Sequence, residues 1–356
     1  MNLNETILYL DKLSKPRNFE EKLKDKKNTK RTDHDFFRIG VKFYISGKQS
    51  QFDLFLRLNN DHYVKVLHQG DSFDLNFINN LYTKGVEYLY IEIEFFEYYL
   101  KIQGEILKNA AIDKSLTLSA KAQIICSQGE SIIETFKAKS NPTSIQNAEY
   151  FIDGIKILHS EYKTRDKASF RHNYLNETMG YGHGISAVLI GNLIARGLKI
   201  SSDKTMRTIS MACMFHDVGL LDNFPGLEHE SIKKIPAHKL TEFYKHPQES
   251  VKKLAPFKEF DNEILQAVRQ HHMRQWGPSY PPMSRNEIVT DVSMIVGMAD
   301  EIAHAITKTM GSYNIEKLPD LEIYLTKHVF PFFKKKFTDS VKETLFKKRT
   351  QLTQKI

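Results

Sequence analysis

Seven residues in the second half of the chain are of the types that hold divalent metals, and they come in a definite order. They are His183, the pair His216-Asp217, His246 followed by Pro247, the pair His271-His272, and Asp300. Imidazole and carboxylate both suit first-row divalent cations. Several imidazoles can hold two ions, a carboxylate can bridge them, and a water between them becomes a nucleophile. An adjacent His-Asp pair suits such a centre, because His216 can serve one ion while Asp217 spans both. The chemistry is metal-assisted hydrolysis. Any one of these histidines alone would more often be a core or surface residue, and the nine other histidines of the fourteen keep that reading. It is the ordered series as a whole that carries the expectation.

Each of these residues needs a rigid element to aim it. His216-Asp217 closes an apolar stretch (TISMACMF), and His271-His272 ends a segment whose apolar stripe is Ile264, Leu265 and Val268. Asp300 lies among Val292, Ile295, Val296, Ala299, Ile302, Ala303 and Ile306, and shares a helical face with Val296 and Ala303. A carboxylate buried there without a partner is costly. A metal would resolve that cost, as would an unseen base. Periodicity and length predict helix over 104–139, 144–163, 185–197, 203–216, 261–272 and 287–308. Asn141-Pro142 marks a break. An amphipathic tail after 315 completes an all-α second half.

The first part of the chain reads differently. In FDLFLRL, Leu54, Leu56 and Leu58 fall on one face at period two; Asn59-Asn60-Asp61 supplies a turn, and YVKVL returns as the second strand of a hairpin. A helix is predicted over Phe73–Tyr82, with Phe73, Phe77, Ile78 and Leu81 on one face. Ser72 caps its start, and Lys84-Gly85 ends it with a left-handed glycine. VEYLYIEI follows as a further strand. The expected class is α+β: a flexible lead-in over 1–35, a small α/β domain over 36–102, linking helices over 103–170, and a helical domain with a helical tail over 171–356.

Bulk properties narrow the context. With 356 residues, 41% hydrophobic and 26% charged, the composition is that of a globular protein of two domains. Two cysteines, Cys126 and Cys213, are too few for a disulfide framework or a zinc-thiolate site. No apolar run has the roughly 18 residues of a membrane span, and the start lacks a signal-peptide layout. The expectation is a cytoplasmic protein with no transmembrane segment. The net charge is +8, with basic clusters at Lys22, Lys24, Lys26, Lys27, Lys30 and Arg31, and at Lys334–Lys336 with Lys347, Lys348 and Arg349. No nucleic-acid module accompanies them, so they read as a solvated linker and a solvated helix face, with no nucleic-acid polymer as partner.

The ordered series resembles the HD-GYP domain, a branch of the HD superfamily of metal-dependent phosphohydrolases, over residues of about 175–310. The matching elements are GHGISAV, FHDVG, YKHPQES, VRQHHMRQWGPSYPP and GMADEIAHAI. The resemblance implies an HD-type helical bundle and two divalent ions, commonly iron or manganese, held by His183, His216, Asp217, His246, His271, His272 and Asp300. It implies cleavage of cyclic di-GMP to pGpG or GMP by a metal-bound hydroxide, with Asp217 as the bridging ligand that supports it. Residues 36–100 also resemble the small domain that precedes some HD-GYP domains.

The chain departs from the family pattern around the substrate. The family's HDxGK lysine is Leu220, and the glutamate that would serve a third metal corresponds to Met179, which favours two ions. In the loop after the His pair, Met273, Trp276 and Ser279 replace Glu, Asp and Gly, while Tyr280 and Pro281 match. Of the phosphate-gripping segment only Lys308 is left, so Tyr280 and Lys308 are the candidate substrate contacts. Three functions stay open: a phosphodiesterase acting on cyclic di-GMP or a related nucleotide, a metal-containing nucleotide receptor signalling to a partner protein, and a structural helical domain docking partners through aromatics in FFEYYL and FPFFKKKF.

Overall fold

A computed structural model describes residues 32–41, 49–71, 75–165, 170–220, 235–274, 276–277, 279–280, 283, 287–311 and 313–346. Its contacts divide the chain into two units, Met1–Thr135 and Phe136–Ile356.

The first unit is built on an antiparallel four-stranded sheet. Strands β1 (Phe36–Gly40), β2 (Leu54–Asn59), β3 (His62–Leu67) and β4 (Tyr88–Glu92) lie in the order β1-β4-β2-β3. The β2–β3 hairpin turns at Asn60-Asp61, where Asp61 takes φ 56°. Leu54 is fully buried as the alternation predicts, but Leu58 on the same face is 64% exposed. Register shifts between Leu54 and Phe55 and between Arg57 and Asn59 break the alternation, and the strand ends in solvent. Helix α1 spans Leu75–Thr83 and is followed by Gly85 at φ +76°, as the glycine signal requires. Ser72 and Phe73 lie outside the described residues.

The sheet packs its apolar face on helix α2 (Phe96–Ile112), where Phe37, Leu54, Leu89 and Ile91 meet Phe96 and Leu100. The expected helix over 104–139 is two helices, α2 and α3 (Leu118–Ala138). Asp113 separates them, because its carboxylate accepts from the Ser115 backbone N–H (2.7 Å) and hydroxyl (2.6 Å) and so favours a turn over another helical turn.

The second unit is helical. Its helices are α4 (Pro142–Arg165), α5 (Phe170–Thr178), α6 (His183–Gly197), α7 (Asp203–Phe215), α8 (Ala237–Phe243), α9 (His246–Leu254), α10 (Asn262–Gln270), α11 (Asp291–Met310), α12 (Leu318–His328) and α13 (Lys335–Val341). Side-chain caps set several starts: Asn141 accepts from the Ser144 N–H, Ser202 from Thr205, Asp261 from Ile264 and Thr290 from Ser293. Helix α6 is almost wholly buried and packs on α7 and α11, while α10 packs on α7, α9 and α11. The aromatic stretches offered as docking surfaces are core: Phe330, Phe333 and Phe337 are buried here, and Phe96, Tyr99 and Leu100 in the first unit. Of the basic clusters, Lys22–Arg31 and Lys347–Arg349 lie outside the described residues, while Lys336 pairs with Asp291. No helix among the described residues is long and apolar enough to cross a membrane.

Candidate metal centre

The seven singled-out residues sit at helix ends or on a buried helix face, and the bundle brings them together. His183 opens α6, His216 caps α7 with Asp217 in the turn beyond, and His246 opens α9. His271 caps α10 with His272 next to it, and Asp300 lies in the middle of α11. Two glycines allow the necessary closeness. A Cβ on Gly219 would lie 2.3 Å from the Ser250 nitrogen and 2.8 Å from the His246 carbonyl oxygen, and one on Gly297 would lie 2.2 Å from the His271 carbonyl oxygen. Backbone meets backbone at both places, so only glycine fits.

Three imidazoles are aimed by the same device. The Nδ1 of His216 lies 2.7 Å from the Cys213 carbonyl oxygen, that of His246 2.8 Å from Phe243 and that of His271 2.6 Å from Val268. A carbonyl oxygen can only accept, so each Nδ1 carries the proton and donates it, leaving an Nε2 lone pair turned inward. These nitrogens converge: His216 Nε2 lies 3.3 Å from His183 Nε2, and His246 Nε2 lies 3.2 Å from His271 Nε2. The inward lone pairs of His246 and His271, facing one another at that distance, suit a cation between them.

The carboxylates divide the imidazoles into two groups. Asp217 turns Oδ2 to His216 Nε2 (3.3 Å), and Oδ1 to His246 Nε2 (3.1 Å) and His271 Nε2 (3.6 Å). Asp300 turns Oδ1 to His183 Nε2 (2.9 Å) and His216 Nε2 (3.6 Å), and Oδ2 to His272 Nδ1 (3.7 Å). Asp217 Oδ1 and Asp300 Oδ2 are buried without a hydrogen bond. A buried ionised oxygen in that condition is expensive unless it binds a metal. Donor atoms of Asp217, His246, His271 and His272 lie within 4.8 Å of one another, as do those of His183, His216 and Asp217. These donor sets therefore fit divalent metal, and Asp217 belongs to both of them.

Electrostatics agree with a ligand set. Burial would raise the Asp217 carboxyl, but His216 and His246 hold it well below the usual carboxylate range. Asp300 is likewise raised by burial and brought well below its ordinary value by His304, His183 and His216. Burial pushes His183 and His271 down to about 4, and pushes His272 well below its ordinary value with help from His271. At neutral pH these three are neutral, the form that ligates. His216 goes the other way: burial lowers it, and the nearby Asp217 and Asp300 outweigh burial and raise it well above its ordinary value. Two carboxylates thus call for positive charge at its Nε2, which a divalent ion also supplies.

The departures from the family pattern have clear positions. Leu220 is buried in an apolar cluster with Ile235 and Phe243, with Leu240 and Tyr280 packed on it. Met179 is buried. Tyr280 stacks on His272, ring centroids 4.2 Å apart at 27°. Pro281 lies outside the described residues. Lys308 is not in the cluster; its Nζ lies 3.2 Å from the Tyr324 hydroxyl and 5.0 Å from that ring's centre. Two residues at the site lie outside the seven singled out, and one of them, His304, is among the nine histidines expected to be core or surface. His304, with Nε2 3.2 Å from Asp300 Oδ1, was open to detection because it stands one helical turn beyond Asp300. Arg274 is buried, donates to the His271 carbonyl, pairs with Glu301 at 2.8 Å and stacks over Phe333. Nothing in its sequence neighbourhood signals that role.

The fold and the site define a helical domain with a histidine-aspartate centre for divalent metals. Residues 180–305 match the family model of the HD domain, and members of the HD superfamily are metal-dependent phosphohydrolases. Among solved structures it is similar to Bd1817, an HDG"Y"P protein from Bdellovibrio bacteriovorus, with a TM-score of 0.63 and 17% identity over 87% of this chain and 99% of that one. No curated protein matches the sequence.

Proposed function

We propose that the chain is a phosphodiesterase of HD-GYP type that hydrolyses cyclic di-GMP, or a related nucleotide, to pGpG or GMP. The observation that carries this reading is the split orientation of Asp217, one oxygen toward His216 and the other toward His246 and His271. His183, His216, His246, His271, His272, Asp217 and Asp300 would hold two ions, iron or manganese. Bound there, the ions would supply Lewis acidity for the phosphate and a water acidic enough to attack near neutral pH.

The chain's own residues do the positioning. The carbonyls of Cys213, Phe243 and Val268 keep three imidazoles from rotating. Tyr280 presents an aromatic ring beside His272, suited to a nucleotide base or sugar edge. Lys308 stands eight residues past Asp300, about 12 Å along α11, and would reach only an outer part of the substrate. The apolar cluster at Leu220 supplies no cation near the reacting phosphate, where a single such group is worth about 2.7–4 kcal/mol in the transition state.

That feature favours a second reading, a metal-containing nucleotide receptor that signals to a partner protein. One experiment separates the two. Anaerobically purified protein loaded with iron or manganese is incubated with cyclic di-GMP, and products are resolved by chromatography. Steady formation of pGpG or GMP, lost in Asp217→Ala, supports the enzyme. Nucleotide binding without product supports the receptor.

A further inference from the structure

We infer that His304 is a sixth imidazole ligand of the centre, joining His183 and Asp300 on the same ion. The inference rests on the metal-centre reading above and extends it beyond the ordered series. His304 stands four residues after Asp300 on α11, so the two side chains leave one face of the helix a turn apart. Its Nε2 lies 3.2 Å from Asp300 Oδ1, and the His183 Nε2 lies 2.9 Å from the same oxygen. Bonds of about 2.1 Å to one ion at right angles put neighbouring donor atoms roughly 3 Å apart. Both separations fit that edge, and the donor atoms of His183, Asp300 and His304 lie within 4.8 Å of one another.

The two rings are also arranged as neighbours on one ion. Their centroids are 4.1 Å apart with planes at 26°, and both Nε2 atoms lie within 3.2 Å of Asp300 Oδ1. Two imidazoles and a carboxylate whose donor atoms lie this close make a ligand set that would suit a first-row divalent metal. The His304 side chain is 36% exposed, against 3% for His183 and 1% for Asp300. His304 is thus the most solvent-exposed of the three side chains. The alternative is that His304 only donates a hydrogen bond to Asp300, and the two roles predict different results.

The test uses the full chain, wild type, His304→Ala and His304→Gln, stripped of metal and titrated with cobalt(II). Binding is followed calorimetrically and by visible absorption, and cobalt per chain is counted by elemental analysis. Wild type is expected to take two ions. His304→Ala should weaken one of them tenfold or more and change that ion's absorption band, with the other unaltered. His304→Gln should behave like the alanine variant, because a carboxamide can bond Asp300 but is a poor ligand. Wild-type affinity and spectrum in His304→Ala would overturn the inference, as would full rescue by glutamine, which would assign only the hydrogen bond. A wild-type protein that takes up no cobalt would overturn the metal-centre reading itself.

Discussion

An imidazole whose Nδ1 proton is committed to a carbonyl has one donor atom left, and in His216, His246 and His271 that atom faces inward toward Asp217. If two ions share Asp217 as proposed, removing its carboxylate should disturb both. Asp217→Ala is expected to retain less than one ion per chain after gel filtration, where wild type retains two, as elemental analysis would show. A second expectation concerns Leu220. Restoring the family's lysine at that position would place an ammonium among Ile235, Phe243 and Leu240. Leu220→Lys should lower unfolding stability by roughly 2–4 kcal/mol rather than raise activity, measured by urea denaturation. The seven residues the fold gathers were legible because order along the chain does not depend on knowing the fold. Arg274 was not, since a lone arginine in a loop says nothing about the carbonyl and carboxylate it will meet.

At the scale of elements, what matters is how closely helices approach. Gly219 lets the turn after α7 lie on the first turn of α9, and Gly297 lets α11 lie on the end of α10. A methyl at Gly219 would push against backbone, and one at Gly297 against the His271 carbonyl and the Arg274 guanidinium. Gly219→Ala should push His246 away from Asp217, and Gly297→Ala should push His271 outward. Each is expected to cost about 1–3 kcal/mol in thermal unfolding and to reduce retained metal, with the far-ultraviolet helical signal kept. The helices over 144–163, 185–197, 203–216, 261–272 and 287–308 were legible because their apolar periodicity runs several turns, and all but 185–197 begin at a side-chain cap. The division at Asp113 was not, because a side chain's choice of a local turn is a matter of one residue inside a periodic pattern. Leu58 was misread because alternation does not say where the core ends and the strand goes on.

For the helical unit as a whole, pH acts through buried groups beyond the centre. His159 is buried, and burial together with the charges of Arg196 and Lys163 pushes it down to about 4. It lines a cavity of about 880 Å³ at the opposite ends of α6 and α7 from His183 and His216. Above pH 6.5 both folded and unfolded chains hold this imidazole neutral, and it contributes no pH dependence. As pH falls from 6.5 to 4 the unfolded chain takes a proton that the folded chain refuses, so stability drops by up to about 1.4 kcal/mol per pH unit. Denaturant midpoints of wild type should fall more steeply over that window than those of His159→Leu.

The hydrogen bonds from His216, His246 and His271 to carbonyls at helix ends have a kinetic consequence. Rings oriented by their own helices are already aimed before any ion arrives, so loading requires no folding step. Every phase of cobalt(II) uptake by stripped protein in stopped flow should then have a rate proportional to metal concentration, with no concentration-independent plateau. A site whose ligands had to be gathered by the ion would reach such a plateau, at the rate of its own rearrangement.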